Sequence, residues 1–240
     1  HALIDRTARP FKLTASGEYL IGYAQRILTL QQEAEALLKD PAGSIPIRIG
    51  LPEDMMSQAM AEVFGIFAKE HRSIRLDVTS GLSRNLTERY RNGEFDIIIV
   101  KEPAASADHH ATFPEEMAWF ESENSTTAWS DPISLVTFPQ GGLYRDEMFA
   151  TLERERRRWY IAFTGSSLES VLVSVETGLG LSLLPVATTN GRRVRRYDSL
   201  GAVPPMAVSI YTWEKAGIIS QLADKMTTVL EERFQSSINI

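Results

Sequence analysis

With 240 residues, of which 43% are hydrophobic and 23% charged, the chain is long enough to bury one or two cores, and this composition excludes a disordered or fibrous protein. The absence of cysteine excludes disulfides, thiolate metal ligands and a cysteine nucleophile, and the net charge of −6 gives no overall field that attracts nucleic acid. Apolar runs such as residues 97–100 are far shorter than the roughly 20 residues of a membrane span, and the first residues lack the order of a signal peptide. We therefore expect a cytoplasmic protein without membrane contact.

Residues 1–13 predict a small basic hairpin. Two short extended pieces flank Pro10, and Arg6, Arg9 and Lys12 lie around it. An acidic chain can meet DNA only through a local patch or through sequence outside it.

A long helix is predicted from Thr14 to about Lys39. Thr14 can cap the first free amides, Glu18 lies in the first turn, and no proline occurs before Pro41. The helix carries a stripe with the alternating four- and three-residue spacing of a coiled coil. The stripe consists of Leu20, Ala24, Ile27, Gln31, Ala34 and Leu38. We expect it to pair with a partner helix; the alternative is a helix packed on its own domain.

Residues 40–46 break the helix and form a linker. A β-α-β-α-β pattern follows, which predicts a parallel sheet with right-handed crossovers. The predicted strands lie at 47–51, 75–79 and 96–100, and the helices at 55–69 and 83–92. A looser region comes next, with a strand at 117–121 and a polar stretch at 123–127.

A second unit with the same rhythm begins at residue 133. Its predicted strands lie at 134–138, 159–164 and 181–184, and its helices at 145–156 and 168–177. A strand at 207–212 and a helix at 218–234 are expected to return to the first unit. The fold class is therefore α/β, with two Rossmann-like lobes that have a cleft between them and are preceded in the chain by a long helix.

Three segments resemble the LysR-type transcription regulators. Residues 9–20 (RPFKLTASGEYL) are similar to the Leu-Thr-x-x-Gly-x-x-Leu segment that leads from the wing of the winged helix-turn-helix into the linker helix. Residues 178–185 (GLGLSLLP) look like the family's Gly-x-Gly-[aliphatic]-x-x-Leu-Pro signature, and residues 86–99 look like its Leu-x-x-Gly-x-[aliphatic]-Asp. The order and spacing of the three segments over nearly the whole chain carry the resemblance.

The resemblance implies an effector domain of the periplasmic-binding-protein type, dimerisation through the linker helix, and often a tetramer. It implies the following division: 1–13 as a remnant of the wing, 14–40 as the linker and dimerisation helix, 45–124 with 207–240 as effector lobe I, and 125–206 as effector lobe II. The family's DNA-reading helix precedes the wing, whereas this sequence begins inside the wing at His1. The resemblance then implies that Arg6, Arg9 and Lys12 are a remnant of the family's DNA contacts. DNA binding is expected only through the full-length winged helix-turn-helix, and only weak binding or none from this fragment.

Open parallel sheets bind ligands beyond the carboxyl ends of their strands, which selects the candidate residues for a small-molecule effector. They are Leu51, Pro52, Glu53, Asp54, Gly81, Leu82, Ser83, Lys101, Glu102, residues 139–142 including Gly141, Thr164, Gly165, Ser166 and Ser167. The resemblance points to the same loops, with Asp54, Ser83 and 164–166 at positions that often touch effectors.

The charges in these loops limit the class of effector. Helix amides near residues 83 and 166 favour an anion, whereas Glu53 and Asp54 repel one. An amine, or a molecule with both hydrogen-bond donors and an anionic group, therefore fits better than a plain carboxylate. Structural alternatives stay open, since Asp54 and Ser83 can be helix caps and Lys101 can pair with a ligand carboxylate or with Glu102.

The remaining motifs point away from other functions. No cofactor or metal site is predicted: adjacent residues His109 and His110 point opposite ways on an extended chain. No catalytic or phosphate-binding motif is present, so an enzyme is not predicted. The stronger rival is a transport solute-binding protein, which shares the fold but should lack the striped helix and the wing remnant. We expect a regulator in which effector binding shifts the angle between the lobes and acts on DNA through the linker helices of a homodimer or homotetramer.

Overall fold

The fold was analysed in a computed structural model that describes residues 2–39, 44–126 and 129–238. The predicted linker residues 40–43 and residue 127 of the polar stretch lie outside the described residues. Contacts divide the chain into two compact units. Unit 1 consists of His1–Gly81, Asn85–Val100 and Ile210–Val229, and unit 2 of Leu82–Arg84, Lys101–Ser209 and Leu230–Ile240. The predicted lobe boundaries stay a prediction.

The chain begins with the predicted hairpin and long helix. Strand β1 (Ile4–Asp5) pairs antiparallel with β2 (Lys12–Leu13), and helix α1 runs over Ala15–Lys39. The Thr14 hydroxyl oxygen accepts a hydrogen bond from the Gly17 amide at 3.1 Å. Thr14 therefore caps the helix as expected, since the first amides of a helix have no partner within it.

Helix α1 has two different faces. Gly22 and Arg26 are buried against unit 1, so the alternative of a helix packed on its own domain is correct for this face. All six stripe residues are exposed; Leu20 is 51%, Ile27 64% and Leu38 83% exposed. At 3.6 residues per turn, the buried face lies about 140° from the middle of the stripe. Packing on unit 1 therefore leaves the stripe accessible.

The parallel α/β pattern of unit 1 is as predicted, with small shifts of bounds. Its elements are β3 (Ile45–Leu51), α2 (Gln58–Glu70), β4 (Ile74–Ser80), and most of α3 (Ser83–Arg91) and β5 (Ile97–Glu102). The first two residues of α3 and the last two of β5 belong to unit 2. The strands pair in the order β4-β3-β5, and both pairings are parallel. β12 (Met206–Thr212) comes next to β5 in this sheet, and α6 (Ile218–Ile238) is the last helix of the described residues.

The start of α2 differs from the prediction. A 3-10 turn covers Glu53–Met55, and α2 begins three residues later than expected, at Gln58. The Ser57 hydroxyl oxygen accepts from the Met60 amide at 3.2 Å, so Ser57 is the cap of this helix. Asp54 is therefore not the cap of α2, and that alternative is wrong. The helix was predicted to start too early because the apolar periodicity includes Met55, which is buried within the 3-10 turn.

Unit 2 contains the second α/β pattern and strands that were not foreseen. Its elements are β6 (Ala111–Glu115), β7 (Met117–Ser122), β8 (Ile133–Thr137), α4 (Leu143–Arg154), β9 (Trp159–Thr164), α5 (Leu168–Glu176), β10 (Ser182–Pro185) and β11 (Val194–Arg196). β8 pairs in parallel with β9, and β7 pairs antiparallel with β10 and β11. β6 lies beside β12, where the hydroxyls of Thr112 and Ser209 are 3.2 Å apart.

The apolar core of unit 2 holds its strands close together. Trp119, Leu135 and Leu183 are almost completely buried in one apolar cluster. A Cβ atom on Gly180 would lie 2.6 Å from the carbonyl oxygen of Ser134, so only glycine lets β10 approach β8 this closely.

Among the residues that the structure describes, none of the helices combines the length and the apolar character of a membrane-spanning segment.

Candidate functional site

In unit 1 the predicted ligand-binding residues follow the ends of two paired strands. β3 ends at Leu51 opposite Ser80, and the amide of Gly81 donates to the carbonyl oxygen of Leu51 at 3.2 Å. Leu51 and Pro52 are buried, Asp54 is half-buried and Gly81 is exposed. A ligand at this edge can therefore reach Asp54 and Gly81, while Leu51 and Pro52 support them.

In unit 2 Ser83 joins the start of α3 to β5. Its hydroxyl oxygen accepts a hydrogen bond from the amide of Lys101 at 2.9 Å. The next residue, Arg84, pairs with Asp146 in the first turn of α4, with a nitrogen–oxygen distance of 2.9 Å. These two side chains are 70% and 51% exposed, so water screens the pair and it contributes little to stability. A ligand anion can therefore compete for the Arg84 guanidinium at low cost.

Lys101 belongs to a buried polar triad with Glu115 and Tyr144. The Lys101 ammonium donates to Glu115 Oε1 at 3.0 Å and lies 2.9 Å from its Oε2. It also donates to the Tyr144 hydroxyl, which in turn donates to Glu115 Oε2 at 3.1 Å. The side chains of Lys101 and Glu115 are only 4% and 1% exposed. The Lys101 charge is therefore already balanced, and a ligand carboxylate would have to displace a buried carboxylate to pair with it.

Glu102 and Gly141 lie close in sequence to members of this triad. Glu102 is the last residue of β5 and is half-buried. Gly141 has a φ of +88°, and a Cβ atom there would meet no atom within 4 Å. Glycine is thus required at this position by the backbone conformation of the turn and not by crowding.

The carboxyl ends of β8 and β9 meet at one edge of unit 2. Thr137 and Thr164 are register partners, and the amide of Gly165 donates to the Thr137 carbonyl oxygen at 2.9 Å. Thr164 and Ser166 are exposed, whereas Gly165 is buried. A Cβ atom on Gly165 would lie 2.4 Å from the Ser170 hydroxyl oxygen, so there is no room for a side chain at this position. Any ligand contact of residue 165 is therefore with its backbone.

These residues lead into the N-terminus of α5, which favours negative charge. The Ser167 hydroxyl oxygen accepts from the Ser170 amide at 3.2 Å and so caps the helix. Glu169 in the first turn is paired with Arg192 at 3.0 Å, and this hydrogen bond raises the pKa of Arg192 above its usual value. Arg192 also pairs with Glu176 at 2.9 Å, so it offsets only part of the negative charge of the two glutamates. The amides of the helix end supply hydrogen-bond donors for an anion.

The comparisons with known proteins bear on the whole arrangement. The profile of the LysR substrate binding domain matches residues 43–232. The chain belongs to this family. The regulator YofA of Bacillus subtilis is 27% identical over 209 residues, which are 85% of this chain and 72% of YofA.

Solved structures of the LysR family share the fold. A mutant of OxyR from Corynebacterium glutamicum aligns with a TM-score of 0.58 and 17% identity, covering 99% of this chain and 82% of that one. The effector binding domain of QuiR, solved in complex with shikimate, aligns with a TM-score of 0.57 and 14% identity, covering 80% of this chain and all of that one. The expected periplasmic-binding-protein-like α/β fold is confirmed.

Membership of the LysR family decides between the two interpretations of the sequence. The relatives are transcriptional regulators, which favours an effector-binding domain of a LysR-type regulator over a transport solute-binding protein. The ligand contacts within this domain stay a prediction. Sequence reasoning did not foresee Arg84 and Glu115, which form ion pairs at this site, or Tyr144, which donates a hydrogen bond to Glu115.

Proposed function

We propose that this LysR-type domain senses a small polar molecule with an anionic group and several hydroxyl or amine donors. Its proposed contacts are the strand-end residues Leu51, Pro52, Asp54, Gly81, Ser83, Lys101, Glu102, Gly141, Thr164, Gly165 and Ser166. The observation that carries the proposal is the pair of exposed hydroxyls, Thr164 and Ser166, directly before the capped N-terminus of α5.

The chemistry of this segment suits such a molecule. A hydroxyl both donates and accepts hydrogen bonds, so Thr164 and Ser166 can bind hydroxyl and carboxylate groups alike. The helix end supplies amide donors for the anionic group, and the exposed Arg84 supplies a cation. The shikimate bound by the QuiR effector domain carries a carboxylate and hydroxyl groups, which supports the same class for this chain.

A thermal-shift screen of hydroxylated carboxylates, amino acids and sugar phosphates tests the proposal. A ligand at about one hundred times its Kd stabilises the folded state by about 2.7 kcal/mol. For a chain of this size, that stabilisation raises the Tm by about 5–10 °C. The proposal is wrong if no compound of these classes raises the Tm.

Matched variants connect the ligand to the segment before α5. In Thr164→Val the hydroxyl is lost with little change of shape, so we expect the ligand-induced shift to disappear while the Tm of the free protein is unchanged. Thr228→Val, on α6, removes an exposed hydroxyl elsewhere and should keep the full shift. Equal ligand shifts in both variants would place the ligand elsewhere.

In the full-length protein we propose that this signal acts on DNA through paired linker helices in a homodimer or homotetramer. We propose that the protein acts in the cytoplasm. The exposed apolar stripe of α1 supports pairing of the helices. Ile27→Lys puts a charge in the stripe, and we expect it to lower the mass found by sedimentation equilibrium. Gln32→Lys, outside the stripe, is the control and should leave the mass unchanged. If Ile27→Lys also leaves the mass unchanged, the stripe is not the interface.

A further inference from the structure

The buried face of α1 is shaped for close contact with unit 1. A Cβ atom on Gly22 would lie 2.4 Å from the carbonyl oxygen of Arg91 and 2.9 Å from the ring of Trp213. A Cβ atom on Gly93, whose φ is +71°, would lie 3.1 Å from the amide nitrogen of Arg26. Glycines on both sides of the contact thus let the helix backbone approach the end of α3.

A buried ion network holds the same face. Arg26, 6% exposed, pairs through one guanidinium nitrogen with Asp96, which is 3% exposed, and through the other with Glu214 at 3.2 Å. Asp96 also accepts a hydrogen bond from the amide of Arg48 on β3 at 2.6 Å. Burial disfavours the Arg26 charge, but Asp96 and Glu214 outweigh it, and the pKa of Arg26 lies above its usual value.

The network connects α1 to the central strands of the unit 1 sheet. Asp96 immediately precedes β5, and its second oxygen is bonded to β3. Glu214 follows β12 by two residues. Trp213, between the end of β12 and Glu214, contacts Tyr23 of α1 edge to face, with ring centroids 4.9 Å apart. Any displacement of these strands therefore moves the partners of Arg26.

We propose that Arg26, Asp96 and Glu214 form a latch that makes α1 move with the rest of unit 1 as one rigid body. The linker helix is then coupled to the strands of this unit through side-chain contacts as well as through the covalent chain. The latch needs no ligand and no second copy of the chain; only its use in signalling rests on the proposed function. It leaves the opposite face of α1, with its apolar stripe, available to a partner helix.

Hydrogen–deuterium exchange of the free chain tests the latch. Arg26→Met leaves Asp96 buried without its partner, and we expect the amides of residues 16–30 to exchange about tenfold faster or more. Glu214→Gln removes the less buried ion pair and should give a smaller increase without a risk to folding. Arg75→Met breaks an exposed arginine–aspartate pair on β4 in the same unit and should leave α1 unchanged.

Gly22→Ala gives a test in which two explanations have opposite signs. Alanine favours a helix more than glycine does, so helix propensity alone predicts slower exchange in α1. The close approach of Gly22 to Arg91 and Trp213 predicts that the added methyl group separates the surfaces and speeds exchange. Slower exchange in Gly22→Ala would overturn the latch.

Ile27→Lys separates the latch from protection by a partner helix. If the latch holds α1, this variant keeps slow exchange in residues 16–30, and adding Arg26→Met to it removes the protection. If Ile27→Lys alone abolishes the protection and Arg26→Met has no effect, a partner helix and not the latch orders α1. Either result leaves the thermal-shift test of effector binding unaffected, so the two proposals can fail separately.

The absence of cysteine allows a direct measurement of the rigid-body coupling. Gln32→Cys on α1 and Lys69→Cys on α2 are both at exposed positions and can carry the only two spin labels of the chain. In labelled protein diluted with unlabelled protein, we expect a narrow distance distribution that broadens when Arg26→Met is added. A distribution of equal width in both proteins would overturn the latch.

Discussion

Replacing Lys101 by Met should destabilise unit 2, because it leaves Glu115 buried without a cation. The two side chains are 4% and 1% exposed, so water cannot take over the role of the missing ammonium group. Methionine has nearly the same length and fills the same space, which separates the loss of charge from the loss of packing.

The structure places this effect at the lower end of the range for a broken buried pair. Removal of one partner of such a pair costs about 3–5 kcal/mol. Glu115 keeps the hydrogen bond from Tyr144 at 3.1 Å, which continues to satisfy one of its oxygens. We therefore expect a loss of about 3 kcal/mol, which lowers the urea midpoint by about 1 M at a slope of about 3 kcal/mol per M.

Urea unfolding followed by tryptophan fluorescence is the appropriate assay. Trp119, Trp129 and Trp159 report on unit 2 and Trp213 reports on unit 1, so the signal follows both the variant in unit 2 and its control in unit 1. Lys225→Met is the matched control, because Lys225 forms a pair of the same kind with Glu70, with both side chains about half exposed. Its midpoint should not shift measurably, since exposed pairs are screened by water.

The double variant Lys101→Met with Glu115→Gln tests the cause. Glutamine can still accept the Tyr144 hydrogen bond but carries no charge, so at least about half of the lost stability should return. If the double variant is no more stable than Lys101→Met, the uncompensated charge is not the cause. If Lys101→Met matches the Lys225→Met control, the burial argument itself is wrong.

Two further predictions follow from local geometry. Gly180→Ala puts a methyl group 2.6 Å from the Ser134 carbonyl oxygen and should lower the free energy of unfolding by about 1–3 kcal/mol in thermal unfolding. Gly65→Ala on α2 has no atom within 4 Å of the added Cβ and should raise the free energy of unfolding by about 0.5–1 kcal/mol. Equal effects of the two variants would contradict the argument that Gly180 is needed for lack of room. The side-chain hydrogen bond from Arg158 holds the pKa of Asp131 below 3.8, so this carboxylate supports folding above its unfolded pKa and loses that effect as pH falls through the folded pKa; an NMR titration that gives 3.8 or more would contradict this.

The regular elements were predictable because their signals are local. The α1 helix carries its own cap at Thr14 and a continuous helical pattern, and the β3–α2–β4–α3–β5 order follows from short apolar strands alternating with amphipathic helices. Strand β6 was missed because Pro114 interrupts its polar and apolar alternation, and proline is rare within strands. The start of α2 was misplaced because apolar periodicity cannot distinguish a 3-10 turn from the first turn of an α-helix.

The contacts of the candidate site were not predictable in the same way. Lys101 and Glu115 are 14 residues apart, Tyr144 is a further 29 residues away, and no spacing rule joins them. The buried position of Arg26 was equally hidden, because an arginine in a heptad pattern is normally assigned to an exposed face. Each of these pairings depends on which tertiary surfaces meet, and this is information that a single sequence does not carry.

The residues that identify the family and those that would choose the effector have different physical roles. In the 178–185 signature, Gly178 adopts a φ of +80° and Gly180 permits the close approach of two strands. Asp96, at the end of the other signature, fixes Arg26 and the start of β5. These positions support the fold whatever the ligand, whereas Thr164, at the end of β9, and Ser166, in the loop after it, have exposed side chains. The family can therefore be recognised from sequence although the identity of its effector cannot.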